Sequence, residues 1–306
     1  MGSVAIVANP RAANGRAKRH AGRLHRALVA SGFDATLAFT AGPMDAARLT
    51  RAAIAAKADT VLCVGGDGTL NEVVNGYAPP TANAPSHTAL AVAPVGTGTD
   101  FAKTVRQGAR PEEVVERLRR NRRLAIDIGF VEFPDLEGRP SSRYFVNIAE
   151  FGSGGAVVEK VNRTTKVLGG RMSFLLAILS VMPKYRNTRV SWQLDDGTEG
   201  AGIVNNFVVA NGRYFGGGLL PAPRAEIDDG LFDVVVIGDM DWKTIRRHLK
   251  DLRRGTHLAL KDVTFRRTRE VTTVSRAHAF LDLDGELVGY DPTRFEVVPK
   301  AIELLV

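Results

Sequence analysis

The chain opens on a short β-branched run, Val4–Ala8, and then alternates two hydrophobic periods as far as Leu124. Apolar positions in Asn14–Ser31 recur at helical spacing, with Leu24 and Leu28 on the inward face and Gly32 as the stop. Phe33–Phe39 reads as a second strand, Met44–Lys57 as a second helix and Thr60–Val64 as a third strand. A helix from Thr69 to about Tyr77, a strand Ala89–Ala93 and a helix opening at Pro111-Glu112-Glu113 complete the series. Strands that alternate with helices predict a mostly parallel sheet with helices on both faces. Ligands of such sheets sit at the C-terminal strand ends.

From about Ala125 the rhythm changes to strand-like runs separated by turn signals: Ile126–Phe133, Tyr144–Ile148, Val190–Leu194, Val204–Ala210, Phe232–Ile237, Val271–Val274 and Ala279–Leu283. Asp195-Asp196-Gly197 and Asp284-Gly285 have the composition of hairpin turns. The expected fold class is therefore α/β: an N-terminal mostly parallel βα sheet domain over residues 1–124, then a C-terminal β-sandwich domain over 125–292. The apolar tail, residues 293–306, is expected to pack back on the first domain.

Within the first half, Val61-Leu62-Cys63-Val64 leads into Gly65-Gly66-Asp67-Gly68-Thr69 and then a helical pattern with Leu70, Val73 and Val74 on one face. A strand, a glycine-rich turn and a helix start are what phosphate binding requires. Glycines let the backbone approach an anion, and the helix N-terminus points its free amides at it. A tight βα turn with no ligand is the alternative for the glycines alone.

Composition narrows the setting. The 306 residues, 44% hydrophobic, suffice for two domains or one large one. A net charge of +8 and a pI near 9.8 point to a polyanionic partner. The basic clusters Arg117–Arg123, Lys243–Arg254 and Lys261–Arg269 read as solvated, helix-like faces, without the interleaved aromatics of a single-strand platform. No nucleic acid is expected; an anionic membrane surface accounts better for the excess. The single cysteine, Cys63, lies in an apolar strand and reads as a core residue, and a reducing compartment suits it. The six histidines show no metal-ligand spacing. Met1–Ala8 lacks the features of a secretory leader, and Phe174–Met182 falls short of the roughly 20 residues of a membrane span. A cytoplasmic protein, peripherally associated with membrane, is expected; a homodimer stays open.

A dinucleotide fold would want Gly-x-Gly-x-x-Gly after the first strand, and Asn9-Pro10-Arg11-Ala12-Ala13-Asn14-Gly15-Arg16 stands there instead. With Asn9-Pro10, Gly66–Glu72 and Pro94-Val95-Gly96-Thr97-Gly98-Thr99-Asp100-Phe101, the chain resembles diacylglycerol-kinase-type lipid kinases, in particular the soluble bacterial members. The resemblance continues through Asn147–Gly155, Asn211–Gly218, Asp228–Asp233 and Asp284-Gly285-Glu286, and so spans nearly the whole chain. It implies an NAD kinase/diacylglycerol kinase-like fold with ATP bound in the cleft between domains. The implied nucleotide contacts are Asn9, Pro10, Arg11, Thr40, Gly66, Asp67, Gly68, Thr69, Leu70, Asn71, Glu72 and Thr97. The implied general base is Glu286, since an alcohol must lose its proton as it attacks phosphorus. The implied structural Mg2+ site is the Asp229 carboxylate with the carbonyls of Glu226 and Leu231; a second Mg2+ would arrive with ATP, Asp67 being a candidate ligand through water. On residues alone, an exposed hairpin turn is the favoured reading of Asp284-Gly285-Glu286, and an ordinary Asp-Gly turn opening the strand Phe232–Ile237 is the alternative for Asp229.

Two positions depart from the family pattern: Thr99 stands where Asn is usual, and Arg16 where Lys is frequent. The apolar segment Leu168–Met182 is open to three readings: lining for acyl chains, contact with a bilayer, or core packing. The expected activity is ATP-dependent phosphorylation of a hydroxyl on a membrane-derived lipid alcohol such as diacylglycerol. An NAD kinase-type small-molecule kinase and a non-catalytic nucleotide- or lipid-binding regulator are the alternatives.

Overall fold

The computed structural model describes residues 2–77, 86–96, 98–163 and 170–306, with the backbone alone for 170–175. The chain divides into two units, Met1–Ile128 with Val298–Val306, and Gly129–Val297.

The first unit runs β1 (Ser3–Ala8), α1 (Arg16–Ala30), β2 (Asp34–Phe39), α2 (Asp45–Ala55), β3 (Thr60–Gly65), α3 (Asp67–Gly76), β4 (Ala89–Pro94), α4 (Asp100–Thr104) and α5 (Pro111–Arg120). Its sheet order is β2-β1-β3-β4, all parallel. The strands β3 and β4 are apolar on both faces because both faces are covered. Val4, Ile6, Ala8, Leu62, Val64, Ala89, Ala91 and Ala93 point to one side, the period of two expected of strands, and pack on Leu24, Leu28, Val114 and Leu118 of α1 and α5. Cys63 lies buried on the opposite side of β3, and burial pushes its thiol pKa well up, so it is a core residue. One member of the basic clusters is internal as well. Arg117 donates to the carbonyls of Val92 and Gly108 and to Gln107 Oε1, pinning α5 to β4.

The second unit takes up β5 (Arg123–Pro134) from Gly129 onward. It continues with β6 (Pro140–Phe145), β7 (Ile148–Gly152), α6 (Ser153–Arg163), α7 (Gly170–Val181), β8 (Thr188–Leu194), β9 (Glu199–Val204), β10 (Asn206–Ala210), β11 (Phe232–Ile237), α8 (Trp242–Arg254), β12 (Val263–Thr268), β13 (Glu270–Ser275), β14 (Phe280–Leu283), β15 (Glu286–Tyr290) and the first part of β16 (Arg294–Leu305). One antiparallel sheet has the order β12-β11-β10-β7-β14-β15; the other sets β16 beside β13, β13 beside β8 and β8 beside β9. Between them lies a core of Phe145, Phe151, Phe207, Phe232 and Phe295 with Leu281 and Leu283. Stacked pairs such as Phe151–Phe207, with centroids 5.0 Å apart, add about 0.5–1.5 kcal/mol each beyond the area they bury. This is the sandwich expected from the strand pattern. The C-terminal end of β16 lies parallel to β4 in the first unit, Leu304 opposite Leu90.

Several sequence-based expectations give way. The strand Tyr144–Ile148 is two strands, broken at Val146-Asn147, where three successive amides turn to a side-chain carboxylate instead of a neighbouring strand. The run Val204–Ala210 breaks at Asn205 and divides between the two sheets. Lys261–Arg269, read as helix-like, is mainly the edge strand β12, with Arg266 and Arg267 exposed on it as edge strands favour.

Candidate active site

Strand β3 runs to Gly65 and α3 starts at Asp67, two residues before the start read from the sequence, because Leu70 N already donates to Gly66 O at 3.0 Å. Gly66 has no room for a side chain: a Cβ there would lie 2.7 Å from the Gly98 carbonyl oxygen. The Asp67 amide donates to that same oxygen at 3.0 Å. The Asp67 carboxylate accepts the amides of Asp100 at 2.8 Å and Phe101 at 3.2 Å. The two glycine segments are thus locked to each other. Gly68 and Thr69 are left as first-turn amides for which the helix supplies no acceptor, the anion-binding property of a helix start.

Other first-unit candidates gather at the same C-terminal edge of the sheet. Asn9 N donates to Val64 O at 3.1 Å, and Asn9 Nδ2 lies 3.3 Å from Thr69 Oγ1. Arg11 N donates to Asn9 Oδ1 across Pro10, and Thr40 N donates to Ala8 O at the end of β1. Leu70 and Asn71 are buried, and the Glu72 carboxylate accepts the Ala46 amide at 3.1 Å, tying α3 to the start of α2. Thr97 lies outside the described residues. Of the two departures, Thr99 caps α4 without a side-chain hydrogen bond, and Arg16 Nε donates to Ala13 O within the first loop.

In the second unit, Asp284 and Gly285 both take positive φ, 53° and 90°, the geometry of a two-residue hairpin turn between β14 and β15. Asp284 is buried, and its carboxylate accepts the amides of Val146, Asn147 and Ile148 at 2.9–3.0 Å. Asn147 O accepts the amides of Asn211 and Gly212, Asn147 Nδ2 donates to Tyr214 O, and Asn211 Nδ2 to Val146 O. Three motifs far apart in the chain are therefore one hydrogen-bonded knot, and Glu286, the first residue of β15, is exposed beside it.

Beneath the same hairpin lies a feature missed in the sequence. Asp282 on β14 stands directly opposite Glu150 on β7, both buried, and Asn206 Nδ2 donates to Glu150 Oε2 at 2.5 Å. Burial, reinforced for Asp282 by the neighbouring carboxylates Glu150, Asp284 and Glu286, drives the pKa values of both upward. Two facing buried carboxyls cannot both ionise, so the pair holds a shared proton. Only strand register reveals it; each acid alone sits in an apolar run.

The expected metal turn is compact. Leu231 N donates to Asp229 Oδ1 at 3.0 Å, and the Arg267 guanidinium is ion-paired with Asp229 and, at 3.2 Å, with Asp233. Asp233 Oδ2 is buried without a hydrogen-bond partner, and burial pushes its carboxyl up to about 7 against the pull of Arg224 and Arg213. Oxygen donors of this kind suit a hard cation. Among the described residues, no three His, Cys, Asp or Glu side chains converge as a metal site.

A parallel α/β unit with a Gly-Gly-Asp-Gly helix junction, joined in sequence to an antiparallel sandwich, places the protein in the NAD kinase-like and diacylglycerol kinase-like class. More narrowly, the chain belongs to the diacylglycerol kinase and YegS-type lipid kinase family. Residues 3–131 match the diacylglycerol kinase catalytic domain, and residues 147–306 match the YegS C-terminal NAD kinase beta sandwich-like domain. It is 28% identical over 292 residues to a diacylglycerol kinase of Bacillus subtilis, covering 95% of this chain and 91% of that one. It is 30% identical over 263 residues to a Stenotrophomonas maltophilia protein named a probable YegS-like lipid kinase, covering 85% and 82%. A crystal structure of a diacylglycerol kinase from Bacillus anthracis superposes with a TM-score of 0.70 at 19% identity, covering 99% and 96%, which shows the shared fold. Yeast NADH kinase shares the fold more distantly, with a TM-score of 0.50 at 10% identity over 99% of this chain and 82% of that one.

Proposed function

We propose that the protein transfers the γ-phosphate of ATP to a hydroxyl of a membrane-derived lipid such as diacylglycerol. The observation that carries the reading is the locked glycine junction at Gly66, Asp67 and Gly98, which presents the first-turn amides of α3 beside Asn9, on the same sheet edge as Thr40, in a chain of this family. Asn9, Pro10, Arg11, Thr40, Thr97 and residues 66–72 take part in holding the nucleotide. The side chains of Leu70 and Asn71 are interior and the Leu70 amide is taken by Gly66 O, so these two, like Asp67 and Glu72, act by holding the loop in place.

Glu286 is the general base. As the acceptor oxygen bonds to the γ-phosphorus, its proton passes to the Glu286 carboxylate and the bond from that phosphorus to the β-phosphate bridging oxygen breaks, releasing ADP. The Asp284 clamp sets the backbone from which Glu286 projects. Mg2+ would be held by the Asp229 carboxylate and the Glu226 and Leu231 carbonyls, with Arg267 withdrawing from Asp229. The lipid class is supported by α7, a mainly apolar helix that leaves Leu176 and Leu179 exposed at 46% and 52%. Residues 168 and 169 of that apolar segment lie outside the described residues.

The test is incubation with ATP, Mg2+ and mixed micelles of candidate lipids, followed by mass spectrometry of products from a total lipid extract. Phosphorylated lipid made by the wild type and not by Glu286→Gln is expected. Transfer to NAD in place of lipid would give the protein to the NAD kinase reading, and ATP binding without any product to a regulator.

A further inference from the structure

Helix α8 (Trp242–Arg254) is the most cationic element of the second unit, and its charges are ordered. Lys243, Arg246, Arg247, Lys250, Arg253 and Arg254 are all exposed. They follow the spacing i, i+3, i+4, i+7, i+10, i+11, which places all six within an arc of about 120° along a helix about 20 Å long. The half-buried Trp242, Ile245, Leu249 and Leu252 fall on another side, and no residue of the helix is fully buried.

Folding stability accounts for only part of this stripe. The six cations are i,i+3 and i,i+4 neighbours of one another, which weakens a helix, and only Asp241, near Lys243 and Arg247, and Asp251, near Arg254, offset them. Arg253 and Arg254 suit the C-terminal end of the helix dipole, but Lys243 and Arg246 stand near its N-terminal, positive end. Within the helix the single carboxylate, Asp251, is engaged by His248 Nδ1 at 2.8 Å and by Thr256 Oγ1 at 3.1 Å. Two carboxylates stand against six cations, so the face keeps an excess of positive charge whose repulsion an external anionic surface relieves.

We propose that the cationic stripe of α8 docks the protein on the anionic headgroups of a lipid bilayer. The choice of a bilayer over nucleic acid rests on the lipid-kinase reading above, whose acceptor is embedded in a membrane, and on the absence of aromatic side chains from the stripe. The half-buried apolar side of α8 is not offered to the bilayer core, so the attachment is electrostatic and salt-sensitive, unlike that of an inserting amphipathic helix.

The test is sedimentation with vesicles, without ATP, comparing phosphatidylcholine alone with phosphatidylcholine containing phosphatidylglycerol. Wild type should bind only the anionic vesicles and be released by 1 M salt. The quadruple variant Lys243→Gln/Arg246→Gln/Arg247→Gln/Lys250→Gln keeps helix-forming residues and removes four charges. At about fivefold per charge it should bind two to three orders of magnitude more weakly, with circular dichroism as for wild type and a melting temperature no lower. Should that variant melt early, the double variant Arg253→Gln/Arg254→Gln should still weaken binding roughly 25-fold. Equal vesicle binding by a folded variant and wild type, or tighter binding of wild type to a short DNA or RNA duplex than to vesicles, would overturn the proposal. Because binding is read without turnover, a protein that docks but phosphorylates nothing refutes the kinase reading and leaves the docking surface standing.

Discussion

The sharpest test of how this architecture supports chemistry is Asp284. Its buried carboxylate is the acceptor for three consecutive amides, those of Val146, Asn147 and Ile148. In Asp284→Asn the amide oxygen can replace Oδ1, which serves Asn147 and Ile148, while the amide NH2 faces the Val146 N–H. One buried donor is then unsatisfied and two bonds lose their charge assistance, a loss of about 3 kcal/mol. Asp284→Ala leaves all three donors without a partner and should lose more, at about 1–3 kcal/mol for each. Both tryptophans, Trp192 and Trp242, lie in the second unit, so urea titration followed by tryptophan fluorescence reads the affected unit directly. Lipid phosphorylation should fall in parallel, because the Asn147 loop and the Glu286 hairpin part when the clamp is lost. A Asp284→Asn protein whose stability stays within about 0.5 kcal/mol of wild type would refute the clamp.

Three further outcomes follow. Glu286→Gln should leave the urea midpoint unchanged, since the side chain is exposed, while lowering lipid phosphorylation by about 10²–10⁴-fold; retained activity in the micelle assay would remove Glu286 from the mechanism. Glu150, raised from its ordinary 4.5 to about 7 by burial, keeps in the folded state a proton that the unfolded chain releases. Its contribution to stability is therefore complete below about pH 4.5 and declines as pH rises through about 7, so urea midpoints should fall over that window in wild type and fall less steeply in Glu150→Gln, where Asp233 still titrates; an unaltered slope would dismiss the shared proton. Gly66→Ala forces a Cβ to 2.7 Å from the Gly98 carbonyl, which should spread the two loops at about 1–3 kcal/mol and weaken ATP binding at least about tenfold by calorimetry; wild-type affinity would show that the junction does not contact nucleotide.

Much of the first unit was legible in the chain itself. Parallel strands buried on both faces must be continuous apolar runs, as β3 and β4 are, and helices against one face must repeat as Leu24 and Leu28 do. The glycine junction was readable for the same reason: close backbone approach restricts residue type locally, so Gly66 declares itself. Local pattern also marked the hairpin turn at Asp284-Gly285.

What it could not declare were the decisions made by partners distant in sequence. The break at Val146-Asn147 exists because a carboxylate 136–138 residues away captures three amides. No local propensity at 144–148 carries that information. Glu150 and Asp282 become a proton-sharing pair only through the β7–β14 register, and Lys261–Arg269 becomes a strand because β11 supplies an edge for it. Residue type and period determine which segments are strand, helix and glycine-rich turn. Register and burial, which no short window contains, determine which acids face each other, which arginine is interior and which carboxylate holds a loop instead of meeting solvent.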